Sequence, residues 1–250
     1  MGSPLQSILD SLAALAVDGM TGRQLDAMAA TLIKLHGCEP AFLDYTPDAR
    51  TQKKGFPAVL CVSVNNEVIH GIPDDRKLEW GDIVTLDLGL KQAVKMAGGD
   101  PVYEYDDGAT TVIVGSTIQA DGTVRYAGSA VARRLLKATQ EALGAGLAQA
   151  KAGKTTHDIA KAIAAVAARE GFGIVKGYGG HGIGSALHME PHIPNEPVGE
   201  AVPLVAGTRI CVEPMFSSKR GDVVTAPNGW TVKLAGGGVA AHFERSVLVE

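Results

Sequence analysis

The 250-residue chain has little of several things, and each shortage excludes something. It has three cysteines, Cys38, Cys61 and Cys211, scattered and without a Cys-x-x-Cys pair. That excludes a disulfide framework or a cysteine zinc knuckle and fits a reducing compartment. No apolar run reaches the roughly 18 residues that a membrane-spanning helix needs. Neither sign of charge dominates: 23 Lys+Arg stand against 27 Asp+Glu, a formal net charge of −4. A dedicated nucleic-acid binder usually shows a basic face, so that class is disfavoured. The first twenty residues hold no Lys or Arg, so the basic start of a secretory signal is missing and the cytoplasm is the expected location. Hydrophobic residues make up 46% of the chain and charged residues 20%, which excludes a largely disordered chain. A chain of this length can bury one large core or two smaller ones. Its 31 glycines point to many turns and close backbone approaches.

Two passages repeat at a constant offset of 134 positions. In the first, Thr21 can cap a helix, Gln24 sits three residues on, as a capping box requires, and Gly37 stops the helix. Leu25, Met28, Ala29, Leu32 and Ile33 mark its apolar face. In the second, Thr155, Asp158, Ile159 and Gly171 take the same places. Each helix follows another helical stretch, at about 4–17 and about 126–151. Each then runs into a His-Gly-Ile sequence, at His70 and at His181, and into a glycine-led strand with an acid six residues on: Gly81 to Asp87, and Gly207 to Glu213. Each ends in a β-like run carrying an acid, Asp106-Asp107 before Thr110–Val114 and Glu244 before Ser246–Val249. Two related halves, about 1–118 and 119–250, form one α+β catalytic domain over 1–250 in this reading.

Asp87 and Glu213 lie inside apolar strands, where a carboxylate is costly to bury unless it is paired or holds a metal. A single one of them is as readily a strand-end acid capped by backbone or paired with arginine. Asp87, Asp107, His181, Glu213 and Glu244, in corresponding places of two halves, point instead to one shared site. Four carboxylates beside one imidazole need neutralising, and two divalent cations do that. Such a pair lies about 3.5–4 Å apart and turns a shared water into a nucleophile. Oxygen-rich ligation suits Mn, Fe or Co better than a structural zinc, although zinc stays open. The reaction class is metal-assisted hydrolysis, with an amide as the natural substrate and a carboxylate moving the proton. His70 and His188 flank the expected site in glycine-rich settings and read as substrate contacts. His36, His157, His192 and His242 read as ordinary core or surface residues, His192 the least firmly because it shares a loop with His188.

With these residues in place, the chain resembles the type I methionine aminopeptidases. The motifs are Asn66-Glu-Val-Ile-His70-Gly-Ile-Pro, Gly81-Asp-Ile-Val-Thr-Leu-Asp87 and Gly180-His181-Gly-Ile-Gly followed by His188-Met-Glu-Pro191. Val212-Glu213-Pro-Met215, Gly229-Trp230-Thr-Val-Lys233 and Ala241-His-Phe-Glu244 complete them, so the resemblance runs from about Asp18 to the C-terminus. It implies the pita-bread fold, with pseudo-twofold halves and a curved antiparallel sheet backed by helices. It implies two divalent metals on the five residues above and Glu213 as proton shuttle. By the same resemblance His188 stabilises the scissile carbonyl or its tetrahedral intermediate, and His70 contacts the peptide backbone. The methionine side-chain pocket falls on Phe42, Tyr45, Phe56, Cys61 and Trp230, an apolar and aromatic set suited to a thioether. The substrate is then a peptide or nascent protein with an N-terminal methionine. The enzyme is expected to act as a monomer, with transient ribosome contact and no membrane or nucleic-acid partner.

The chain departs from the family pattern in places. Asp87 and Asp107 are 20 positions apart, whereas the family holds the two acids on a tight hairpin, so Gly89–Tyr105 is expected as a longer hairpin or a small flap. Asp106 and Asp107 are adjacent, and successive strand residues face opposite sides. Counting back from Gly115, by analogy with the family's ending, favours Asp107. Thr46–Lys54 lengthens the loop between Tyr45 and Phe56, either reshaping the pocket entrance, meeting a partner, or lying solvated. Two alternatives stand beside this reading. Aminopeptidases P and prolidases share the fold and ligands but normally carry a large N-terminal domain, for which this chain has no room. A non-catalytic pita-bread protein holding RNA or proteins typically loses metal ligands, and here all five are present.

Overall fold

Local sequence sets the helices. In a computed structural model of the chain, which describes residues 3–47, 54–97, 100–118, 123–125 and 127–250, Thr21 caps helix α2 (Gly22–Leu35) with Gln24 completing the capping box. Thr155 and Asp158 do the same for α4 (Thr156–Glu170), which Gly171 ends in the left-handed conformation. Serines set the other two starts: Ser3 caps α1 (Pro4–Leu15) and Ser129 caps α3 (Ala130–Leu147). Both of these helices are shorter than the sequence pattern predicts, by two residues at the end of α1 and by four at each end of α3. The stretch Met1–Gly2, the loop residues 48–53 and the connection 119–122 lie outside the described residues.

The main sheet is mostly antiparallel hairpins and carries the site. Its strands are β1 (Cys61–Val64), β2 (Ile83–Ala97), β3 (Asp100–Ile113), β4 (Gly179–Ile183), β5 (Met189–Pro194), β6 (Arg209–Val212) and, last in the chain, β7 (Glu244–Leu248). Across the sheet the order is Glu39–Pro40, β2, β3, β7, β6, β4, β5, with β1 also paired to β2. All the pairings are antiparallel. The stretch Gly89–Tyr105 is the longer hairpin expected from the sequence: β2 and β3 stay paired out to Ala97 opposite Asp100.

Residues Ile83–Leu90 of β2 are buried on both faces, which is why they read as a nearly unbroken apolar run. Val84, Leu86, Leu88 and Leu90 pack into an apolar cluster with Leu5, Leu9 and Leu12 of α1 and Leu25 and Ile33 of α2. Burying each such leucine contributes about 1.5–3 kcal/mol. The alternate residues Ile83, Thr85, Asp87 and Gly89 therefore face away from these helices. On β3 the same alternation places Gly108 under α1, where an added Cβ would meet Leu5 at 3.1 Å, and turns Asp107, Ala109 and Thr111 to the opposite side. A second cluster joins Ile83 and Ile113 to Leu135, Ile159, Ile163, Ile210 and Val212. The acids of interest emerge between these two cores.

Candidate active site

Register assembles the site. Asp87 lies opposite Ala109 on one side and Cys61 on the other, and Glu244 also lies opposite Ala109. Asp87 and Glu244 thus occupy one row across three strands, separated only by a methyl group. Asp107 follows two residues from Ala109 on the same face of β3. His181 comes from β4, where Gly180 and Gly182 allow the strands to close. A Cβ on Gly180 would sit 2.0 Å from the Cys211 carbonyl oxygen, and one on Gly182 would sit 2.2 Å from that of Glu190. Glu213 follows β6, and Asn195 donates its side-chain N–H to the Glu213 carbonyl at 2.9 Å.

The five residues Asp87, Asp107, His181, Glu213 and Glu244 are all buried or nearly so. His181 Nε2 is 3.8 Å from Asp107 Oδ2 and 3.7 Å from Glu244 Oε1. One oxygen from each of Asp87, Asp107 and Glu244 falls within 4.8 Å of the others. Among the described residues no lysine or arginine ion-pairs with these carboxylates. Burial pushes Asp107, Glu213 and Glu244 well above the usual carboxylate range, and repulsion between the acids adds to it. Burial raises Asp87 to about 6, against a smaller lowering by the nearby His242. Asp87 Oδ1 and Glu244 Oε1 are buried without a hydrogen-bond partner. His181 Nδ1 lies 2.9 Å from the Gly182 carbonyl, so Nδ1 carries the proton and Nε2 presents a bare lone pair to the acids. Orphaned carboxylate oxygens, a free imidazole lone pair and a surplus of negative charge fit a divalent cation site.

One cavity, with about 560 Å³ of space that includes its solvent-open mouth, is lined by Asp87, Asp107, His181, Glu213 and Glu244. Phe42, Tyr45, Phe56, Cys61 and Trp230 line the same cavity, together with His70. Phe56 meets Trp230 edge-on at 5.3 Å and Phe42 at 6.5 Å, which gives the pocket an aromatic wall. His70 has φ +56, its carbonyl accepts from Thr231, and burial lowers its ring to about 4, so it stands neutral at the wall. The His188 ring lies 4.3 Å from that of His181, tilted by 53°, and its Nδ1 lies 2.6 Å from the Tyr45 hydroxyl. Burial, then repulsion from His181 and His70, holds His188 below the usual imidazole range. Burial and the nearby Asp107 push the Tyr45 phenol up, so it keeps its proton. A phenol donates better than it accepts. Tyr45 therefore donates its O–H hydrogen bond to Nδ1 and leaves Nε2–H on His188 free to donate.

The structure thus brings together every residue singled out from the sequence for the site. Asp106 is outside the cluster: it faces the α1 side, paired with Arg209 at 3.1 Å and hydrogen-bonded to Ser246. His36 bonds the Leu32 carbonyl, His157 the Val198 carbonyl, and His192 is exposed, all away from the cavity. His242 departs from its sequence reading. It is no ordinary core residue, because its ring lies against Glu213 and Glu244. Its place two residues before Glu244 was the available signal.

Residues 5–250 match the metallopeptidase family M24. The chain belongs to metallopeptidase family M24. It is 37% identical over 237 residues to a methionine aminopeptidase of Aquifex aeolicus, covering 92% of this chain and 83% of that one. It is 36% identical over 248 residues to a methionine aminopeptidase of Treponema pallidum, covering 98% and 86%. The solved methionine aminopeptidase of Thermotoga maritima superposes with a TM-score of 0.83 at 30% identity, covering 98% of this chain and 88% of that one. The pita-bread architecture expected from the sequence is therefore the fold of this M24 chain. The prolidase of Pyrococcus horikoshii shares that fold alone, at TM-score 0.66 and 20% identity, and this chain spans 56% of its length.

Proposed function

We propose that this M24 peptidase removes N-terminal methionine from peptides and nascent proteins by metal-dependent hydrolysis. The observation that carries the proposal is a single cavity lined both by five ligand-type residues and by an apolar, aromatic set. Asp87, Asp107, His181, Glu213 and Glu244 would hold two divalent ions, with oxygen-rich ligation favouring Mn, Fe or Co. When bound, the ions polarise the scissile carbonyl and acidify water. Glu213 takes the proton of the attacking water and passes it to the nitrogen of the leaving peptide. His188, fixed by Tyr45, donates Nε2–H to the carbonyl oxygen as negative charge builds there. His70 contacts the peptide backbone, and Phe42, Tyr45, Phe56, Cys61 and Trp230 grip the methionine thioether. Asp87 and Asp107 come from one half and His181, Glu213 and Glu244 from the other. This supports one catalytic domain over 1–250, with halves of about 1–118 and 119–250 sharing the site.

Action in the cytoplasm, as a monomer in transient contact with the ribosome, belongs to the same reading. Among the described residues no helix is long and apolar enough to cross a membrane. The test is a panel of Met-X and X-Pro peptides offered to protein reconstituted with Mn, Co or Fe. Release of methionine from Met-Ala and Met-Gly, with no cleavage of X-Pro, supports the proposal. Cleavage confined to X-Pro peptides overturns it, as does tight RNA binding without any turnover.

A further inference from the structure

His242 ends the short strand Ala240–His242, opposite Met215. Its backbone is clamped by Thr111, which accepts from the His242 N–H at 3.0 Å and donates to the His242 carbonyl. Thr85 bonds Thr111 from the neighbouring strand at 2.9 Å, so the clamp ties His242 to the strand that carries Asp87. The ring is 1% exposed, and neither nitrogen has a hydrogen-bond partner. Leaving such polar atoms unpaired in the interior is costly, a cost that leucine in the same space would avoid. Nε2 lies 3.4 Å from Glu213 Oε2 and 3.8 Å from Glu244 Oε2. Glu244 therefore stands between two imidazoles, with Oε1 toward His181 and Oε2 toward His242.

The two imidazoles are not equivalent. At His181 a carbonyl takes the Nδ1 proton and bares Nε2. At His242 no acceptor faces Nδ1 among the described residues, and the nearby acceptors are the carboxylate oxygens at Nε2. The proton belongs at Nε2, and a protonated nitrogen is a donor and not a metal ligand. We propose that His242 is a positioning residue whose Nε2–H is shared between Glu213 and Glu244, holding both carboxylates so that their remaining lone pairs face the metal ions. This rests on the reading that the cluster holds divalent ions. Outer hydrogen bonds of this kind are worth about 10- to 100-fold in metal affinity.

The test is calorimetric titration of Mn²⁺ into metal-free wild-type, His242→Leu and His242→Gln proteins, each first shown folded by circular dichroism. His242→Leu keeps the volume without a donor and should bind Mn²⁺ 10- to 100-fold more weakly. His242→Gln restores an N–H and should recover most of that loss. Pulsed electron paramagnetic resonance of the Mn²⁺-loaded wild type should show nitrogen coupling from one imidazole, unchanged in His242→Gln. Wild-type affinity in His242→Leu overturns the proposal, as does equal weakening in both variants. Loss of a nitrogen coupling in His242→Gln overturns it too, by making His242 a ligand. If wild-type protein binds no Mn²⁺, Co²⁺ or Fe²⁺ at all, the functional reading itself fails and this inference falls with it.

Discussion

Replacing Tyr45 with phenylalanine removes one oxygen and leaves the aromatic ring in the pocket wall. The lost group is the hydroxyl that lies 2.6 Å from His188 Nδ1. Without it His188 is free to turn and to exchange tautomers, so only a fraction of molecules present Nε2–H to the substrate carbonyl. A neutral hydrogen bond contributes about 0.5–1.5 kcal/mol net, which converts to a roughly 2- to 12-fold fall in kcat. The outer edge of His188 is exposed to solvent, which places the expectation in the lower half of that range. KM should stay close to wild type, because the ring proposed to contact the methionine side chain is retained. His188→Ala, which removes the donor itself, should cost far more, on the order of 100-fold in kcat. Adding Tyr45→Phe to His188→Ala should cost nothing further. The assay is steady-state release of methionine from a Met-Ala peptide at saturating metal. An unchanged kcat refutes the reasoning. So does an equal Tyr45→Phe effect with and without His188, which would return Tyr45 to a pocket role alone.

Other outcomes follow from the same geometry. Glu213→Gln should keep its metal, measured by bound ion per chain, and lose roughly 100- to 10,000-fold in turnover, the range for a lost proton-transfer group. Asp107→Asn should weaken metal binding strongly. Asp106→Asn should leave metal binding intact and cost roughly 1 kcal/mol of stability by breaking the Arg209 pair, read by denaturant unfolding. The metal-free protein should become less stable as pH rises above about 6.5. Its buried acids have folded values raised above their unfolded ones, so the folded state holds the extra protons and loses stability as they leave. For Asp87, raised from 3.8 to about 6, the contribution is about 3 kcal/mol. Between about pH 4 and 6.5 the buried histidines His70, His188 and His242, whose folded values are lowered, oppose this trend, so melting scans with chelator should show a falling Tm above about pH 6.5, and added Mn²⁺ should raise Tm more at about pH 7.5 than at about pH 5. A metal-free Tm that climbs over that range would contradict the burial of these acids.

Much of this was legible because the signals are local. The capping boxes at Thr21–Gln24 and Thr155–Asp158 each sit within four residues, so the helices could be placed from sequence. Strand alternation set Asp106 and Asp107 on opposite faces, the family's ending favoured Asp107, and the same alternation turns Asp106 toward α1. The rest depended on contacts between residues far apart in the chain. The Tyr45–His188 bond spans 143 positions, and no spacing rule reports it. His242 sits between alanine and phenylalanine in a buried strand and reads as core. The two-residue spacing to Glu244 was a signal that the pair shares a face, but only the fold brings Glu213 against the same ring.

The most direct test of the central claim is a titration of Mn²⁺ into chelator-stripped protein, with bound metal per chain and methionine release followed in the same samples. The account predicts no release without metal, release rising as ions bind, and two ions per chain at saturation, with both signals suppressed in Asp107→Asn. Full methionine release from stripped protein, or release that persists unchanged in Asp107→Asn, would contradict it.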